Sequence, residues 1–164
     1  MPPINKAEYR LELYYKDADP RGGAVIRRFK TLGYSVESVL ITDNYLINAD
    51  LNLNEINSVA EMLYQPVTQS YCINEPYTPD DFNFCMEIGY LPGVTDNVAH
   101  TVRESIEDLL KKDLDHEKSV FYTTTYFFTG NADVKEQNLI GRELFNPLIQ
   151  RIKIFTKDQY IQNN

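Results

Sequence analysis

The chain states the same script twice, and that repetition restricts its fold more than any other feature. Leu63-Tyr64-Gln65-Pro66-Val67-Thr68-Gln69 matches Leu144-Phe145-Asn146-Pro147-Leu148-Ile149-Gln150 at an offset of 81 residues. The same offset lays Tyr45 on Tyr126 and Val39 on Val120. Nearer the start, Tyr9 to Tyr15 matches Phe84 to Tyr90 at an offset of 75. Both of these runs alternate: Tyr9, Leu11, Leu13 and Tyr15 share one face, as do Phe84, Met86, Ile88 and Tyr90. Period-two alternation marks a half-buried strand. The offset grows in the loop Leu91-Pro92-Gly93-Val94-Thr95 and again over Lys111 to Ser119, a charged stretch that suits a surface insertion.

Each copy then follows one order. Asp19-Pro20-Arg21 reads as a helix cap with proline at the first turn, and Val25, Phe29 and Leu32 form one apolar face before Gly33. In the second copy Thr95 or Asp96 caps, and Val98, Val102, Ile106 and Leu109 make the stripe. β-rich runs follow, Val39 to Ile47 and Val120 to Phe128, each one long strand or a hairpin broken near Asp43-Asn44 and Thr124. Asn52 with Glu55, and Asp133 with Glu136, have capping-box spacing. Ile56, Val59, Ala60 and Leu63 then lie on one helical stripe, answered by Gln137, Ile140, Gly141 and Leu144. Pro66 and Pro147 are expected to stop these helices and launch last strands over Val67 to Ile73 and Leu148 to Ile154. The order β-α-β-(β)-α-β, twice, predicts an α+β protein of tandem ferredoxin-like repeats. Its segments are 8–74 for the first repeat, 75–81 for a proline-containing linker, 82–157 for the second repeat and 158–164 for a polar tail. A unit of roughly 70 residues buries only about 60% of its unfolded surface. The halves are therefore expected to pack together as a fused pseudo-dimer.

Composition narrows the chemistry. Sixteen basic against 24 acidic residues give a charge of −8, which counts against nucleic acid as a partner. No apolar run reaches the ~18 residues of a membrane span, and Met1 to Lys6 lacks the pattern of a signal peptide, so a cytoplasmic protein is expected. Cys72 and Cys85 read as reduced, largely buried strand residues; a disulfide requires their strands to lie side by side. With His100 and His116 they do not make a zinc pattern, and both histidines read first as surface residues. Gly22-Gly23 is too short for a phosphate loop and is explained as well by helix packing, while Asp113 and Asp115 fall in a solvated charge run. No catalytic, cofactor-binding or metal residue is expected in this chain.

The repeats resemble the small PurS family and its fused counterparts in phosphoribosylformylglycinamidine synthase. The likeness rests on Glu87 to Asn97, which looks like the family's strand, Pro-Gly-Val loop and helix start. It rests also on Asp19-Pro20-Arg21-Gly22 and on Leu144 to Gln150, with Gln65-Pro66-Val67 a weaker copy. The first copy departs from the pattern, having Lys16-Asp17-Ala18 where the second has the Pro-Gly-Val loop. The resemblance implies purine biosynthesis: an amidotransferase that uses glutamine and ATP to amidate formylglycinamide ribonucleotide. It implies a non-catalytic assembly part that bridges synthase and glutaminase, with ATP and Mg held elsewhere in the complex. The family's ATP-binding, substrate-binding and glutaminase regions do not appear, so a segment of a longer synthase or a separate subunit is expected. Pro92, Gly93, Val94, Asp96 and Asn97 are the candidate partner-facing loop; equally, Pro-Gly is a turn and Asp96 a helix cap. The alternative function is a ferredoxin-like regulatory domain that binds a small ligand, by analogy of fold alone.

Overall fold

The computed structural model describes residues 8–164; the expectation about a signal peptide concerns residues outside these. The first copy supplies β1 (Glu8–Tyr15), α1 (Pro20–Thr31), β2 (Val36–Asn48), α2 (Leu53–Leu63) and β3 (Gln69–Ile73). The second supplies β4 (Phe84–Tyr90), α3 (Asn97–Leu110), β5 (Val120–Gly130), α4 (Val134–Leu144) and β6 (Gln150–Thr156), followed by α5 (Lys157–Asn163). All six strands join in one antiparallel sheet of order β3-β1-β2-β5-β4-β6. The class is α+β, compatible with ferredoxin-like repeats.

The β-rich runs are single strands, not hairpins. Asp43 and Asn44 read as turn residues, yet both have strand-compatible partners. Tyr122 Oη donates to Asp43 Oδ1 at 2.6 Å, and Asn44 Nδ2 donates to Thr125 Oγ1 at 2.8 Å. With those groups paired across β2 and β5, nothing forces the chain to turn. Asp43 stands opposite Thr124 in the ladder. Their separation is the 81-residue offset of the repeat, so a local two-fold axis passes through this pair.

The long strands interlock the copies. β1 pairs only with Thr42 to Asn48 of β2, and β4 only with Thr123 to Phe128 of β5. Val36 to Ile41 of β2 therefore lie beside the half of β5 that pairs with β4. The helices follow their strands. α1 leads into β2 and so lies over the second copy's sheet, where Phe29 packs with Phe84, Met86, Phe128 and Ile140. α3 leads into β5 and lies over the first copy's sheet, where Val102 and Ile106 pack with Leu11, Ile47, Ile56 and Val59. Each of the two cores on this face thus combines both copies. Polar contacts repeat the exchange: Arg28 of α1 pairs with Glu143 of α4, and Lys112, after α3, reaches Glu55 of α2 at 2.7 Å.

Glycine permits the closest helix approach. A Cβ on Gly22 would lie 2.8 Å from the Val39 carbonyl oxygen, so α1 can rest on β2 only without one. This is the packing role expected of Gly22.

The opposite face carries a smaller core of Phe82, Cys85, Phe127 and Tyr160, covered by α5 and the linker. The polar tail is therefore a helix. Thr156 and Gln159 form its capping box, and Tyr160 Oη donates to the Tyr77 carbonyl at 2.8 Å. The linker is tied down as well. Glu12, 1% exposed, accepts the Tyr77 amide at 2.7 Å, and the Tyr77 ring stacks on Tyr14. Arg10 closes the network by binding both Glu12 and Glu87.

Two further expectations are corrected, and one alternative is closed. The helical stripes rotate slightly: Leu32, Val98 and Leu109 are exposed, while Ala99 and Arg103 are buried. Pro66 and Pro147 open turns instead of strands, leaving Val67 and Leu148 exposed. The reason is a side-chain closure in each copy: Gln69 Oε1 accepts the Gln65 amide and Gln150 Oε1 accepts the Asn146 amide. A Cys72–Cys85 disulfide is excluded, since β1, β2 and β5 separate their strands. Four strand spacings amount to roughly 19 Å, against a Cα separation of about 4–7 Å in a disulfide.

Candidate functional site

The loop between β4 and α3 is built from local rules. The Val94 amide donates to the Leu91 carbonyl at 3.1 Å, and Gly93 has φ of 81°. Proline followed by a left-handed glycine is the signature of a type II turn. Asp96 then caps α3 by accepting the Ala99 amide at 3.0 Å. The turn and the cap account for Pro92, Gly93 and Asp96 in structural terms. Pro92, Gly93 and Asn97 are exposed, and Val94 and Asp96 are half-buried.

This loop also walls a cavity of about 610 Å³. The cavity follows from the register. β4 leaves β5 at Thr123, whereas β5 runs on to Val120 against β2, so one side of β5 is left without a strand there. The first copy joins Tyr15 to its cap with Lys16 to Ala18, while the second uses Leu91 to Thr95, two residues more. The longer loop forms one wall of the space that results. All of the candidate residues except Asn97 line it.

The lining is cationic in an acidic chain. Arg103, Lys118 and Arg151 meet Asp96 and Glu117 there, together with both of the chain's histidines. His100 and His116 were expected as separate surface residues; both are exposed, and the fold brings them to one cavity. Arg103 is the exception to surface placement, with its side chain 3% exposed. Its Nη1 donates to Glu107 Oε2 at 2.7 Å, and its Nη2 lies 3.2 Å from His100 Nδ1. If Nδ1 accepts from arginine, the His100 proton sits on Nε2, which faces Glu104 Oε1 at 3.2 Å. Glu107 in turn accepts the Leu114 amide; that bond first, and then Arg103, hold its carboxyl below the ordinary value. The charged insertion is thereby fastened to α3. Arg103 Nε is buried without a hydrogen-bond partner.

A second polar cluster marks the two-fold axis on the helix side. Arg21 pairs with Asp19 at 2.8 Å and with Asp43 at 3.0 Å, and its guanidinium lies over the Tyr15 ring. Burial alone pulls the Arg21 pKa down, but the two carboxylates carry it well above its ordinary value. Burial, reinforced by Asp43, pushes the Tyr122 phenol up, and raises Tyr45 to about 12. These phenols stay protonated at neutral pH, so Tyr122 serves as a donor holding the axis together.

Sequence reasoning missed Arg103, Lys118 and Arg151. One signal was present: an arginine interrupts the apolar stripe of α3. Aligning the buried Gly22 and Phe29 of α1 with the buried Ala99 and Ile106 of α3 places Arg103 opposite Ile26. Among the described residues, no group of three or more His, Cys, Asp or Glu side chains is gathered to hold a metal ion, and no helix is long and apolar enough to cross a membrane. No family model matches the chain, and no curated protein matches it.

Proposed function

We propose that the chain is a non-catalytic assembly module of the phosphoribosylformylglycinamidine synthase type, bridging synthase and glutaminase parts. The interlocked sheet is the observation that supports this reading. Two copies of a small unit share both helix-side cores and one continuous ladder, which gives a stiff platform with two related halves. A protein that holds two others in register needs such a platform more than it needs a mobile cleft. The loop Pro92 to Asn97 projects from one end of it and presents Pro92, Gly93 and Asn97 to solvent. The resemblance of Glu87 to Asn97 and of Leu144 to Gln150 to the PurS pattern supplies the identity of the partners. ATP and Mg belong, in this reading, to the synthase part.

Reconstitution tests the proposal. The chain is mixed with cognate synthase and glutaminase parts and followed by size-exclusion chromatography and by turnover with glutamine or with ammonia. Co-elution and a rise in glutamine-dependent turnover, with ammonia-dependent turnover unchanged, are expected. Asn97→Arg, at an exposed first helical residue, is expected to weaken co-elution without lowering the melting temperature. Full glutamine-dependent turnover in the absence of the chain refutes the proposal.

A further inference from the structure

We propose that the cavity between the β4–α3 loop, α3 and the start of β5 binds a small molecule through an oxyanion with the charge of a phosphate. The inference does not depend on the assembly reading. Its basis is Arg103. A buried guanidinium costs free energy unless it is fully paired. Here Nη1 and Nη2 have partners, and Nε, on a side chain that lines the cavity, has none. The fold does not demand an arginine there, because the equivalent helix of the first copy carries Ile26 and packs it against its core. An arginine where isoleucine suffices, with a donor left over, points to a further acceptor.

The rest of the lining suits that acceptor. Lys118 and Arg151 are exposed cations lining the same cavity, and His116 adds an imidazole, while both nitrogens of His100 are engaged by Arg103 and Glu104. Asp96 and Glu117 oppose them, Asp96 with Oδ1 accepting the Ala99 amide, so the lining carries three cations against two carboxylates. Guanidinium and ammonium groups lining one space favour a phosphate-like anion over a neutral ligand. The volume of about 610 Å³ exceeds what a bare ion fills and falls in the range of small-molecule sites. Tyr90 and Phe121 line it too, offering apolar surface to the body of an ester.

The experiment titrates ¹⁵N-labelled full-length chain with inorganic phosphate and with glycerol phosphate, beside acetate and sodium chloride at matched ionic strength. Saturable shifts are expected with the two phosphates, confined to amides of 89–103 and 116–123, and tighter for the ester. Chloride and acetate are expected to give none. Arg103→Ile, which restores the residue type of the first copy, is expected to weaken phosphate binding at least tenfold while the melting temperature holds or rises. Lys118→Gln, at an exposed position, is expected to weaken it severalfold with the fold intact, and it decides the matter if Arg103→Ile does not fold. Absence of saturation, equal shifts with chloride, or unchanged affinity in Lys118→Gln together with any folded Arg103→Ile overturns the proposal.

Discussion

If the copies exchange helices, Phe29 must be coupled energetically to the far repeat. Phe29 sits in α1 of the first copy, fully buried, with its ring centroid 6.1 Å from Phe128 of the second copy. Phe29→Leu and Phe128→Leu each remove about three buried carbons, worth roughly 2 kcal/mol at ~0.8 kcal/mol per group. Aromatic pairs carry about 0.5–1.5 kcal/mol beyond area. The double variant should therefore be less destabilised than the sum of the singles by about that amount. Leu11→Ala, in the first copy's strand but in the other core, supplies the control. Its effect should add to that of Phe29→Leu within about 0.5 kcal/mol, as distant sites do. Urea unfolding followed by circular dichroism reads all the free energies. Coupling of Phe29 to Leu11, with simple additivity between Phe29 and Phe128, refutes the interlocked arrangement.

Three other outcomes are expected. Gly22→Ala should destabilise by about 1–3 kcal/mol because its Cβ meets the Val39 carbonyl oxygen at 2.8 Å, even though alanine favours helix. Gly23→Ala should instead stabilise by roughly 0.5–1 kcal/mol, since its Cβ meets only the movable Arg27 side chain, at 3.4 Å; thermal melts of both variants check the pair. Tyr160→Ala should cost about 3 kcal/mol by opening the core under α5, whereas Tyr160→Phe should cost only about 1 kcal/mol for its bond to Tyr77, both read as urea midpoints. Burial pushes the Cys72 and Cys85 thiols and the Tyr45 phenol up to about 12. Unfolding lets these groups release protons above their ordinary values of about 8.5 and 10, so stability should fall as pH rises from about 8.5 toward 12. The urea midpoint at pH 10.5 should lie below that at pH 8, and Cys72→Ala with Cys85→Ala should lessen the drop.

Much of this fold can be read from the repeat. The capped helices, the alternating strands and the small residues Ala60 and Gly141 on the second helices follow from local patterns that tertiary contacts do not override. The length of β2 and β5 was legible only as an alternative, because Asp43 and Asn44 carry turn chemistry in isolation. Their partners, Tyr122, Thr125 and Arg21, are far away in sequence. The exchange of α1 and α3 follows from that length and could not be read before it. Of the candidate site, the Pro-Gly turn and the Asp96 cap were visible as spacing. The cavity was not, since it arises where β4 stops short of the start of β5, a matter of register. His100, His116 and Arg151 are scattered along the chain, and only a sheet end brings them together.

The long strands also set a timetable for synthesis. Val36 of β2 pairs with Gly130, and Ile41 with Tyr126. At ~5–20 residues per second, β2 therefore waits on the order of 5–20 s before its ladder partner exists. During that interval α1 has no second-copy sheet to cover, and Phe29, Val36, Val39 and Ile41 remain without their final neighbours. The nascent first repeat is thus an open half, able to pair with a second nascent first repeat as well as with its own continuation. Covalent fusion settles that competition by supplying the correct partner at high local concentration as soon as the second copy is made.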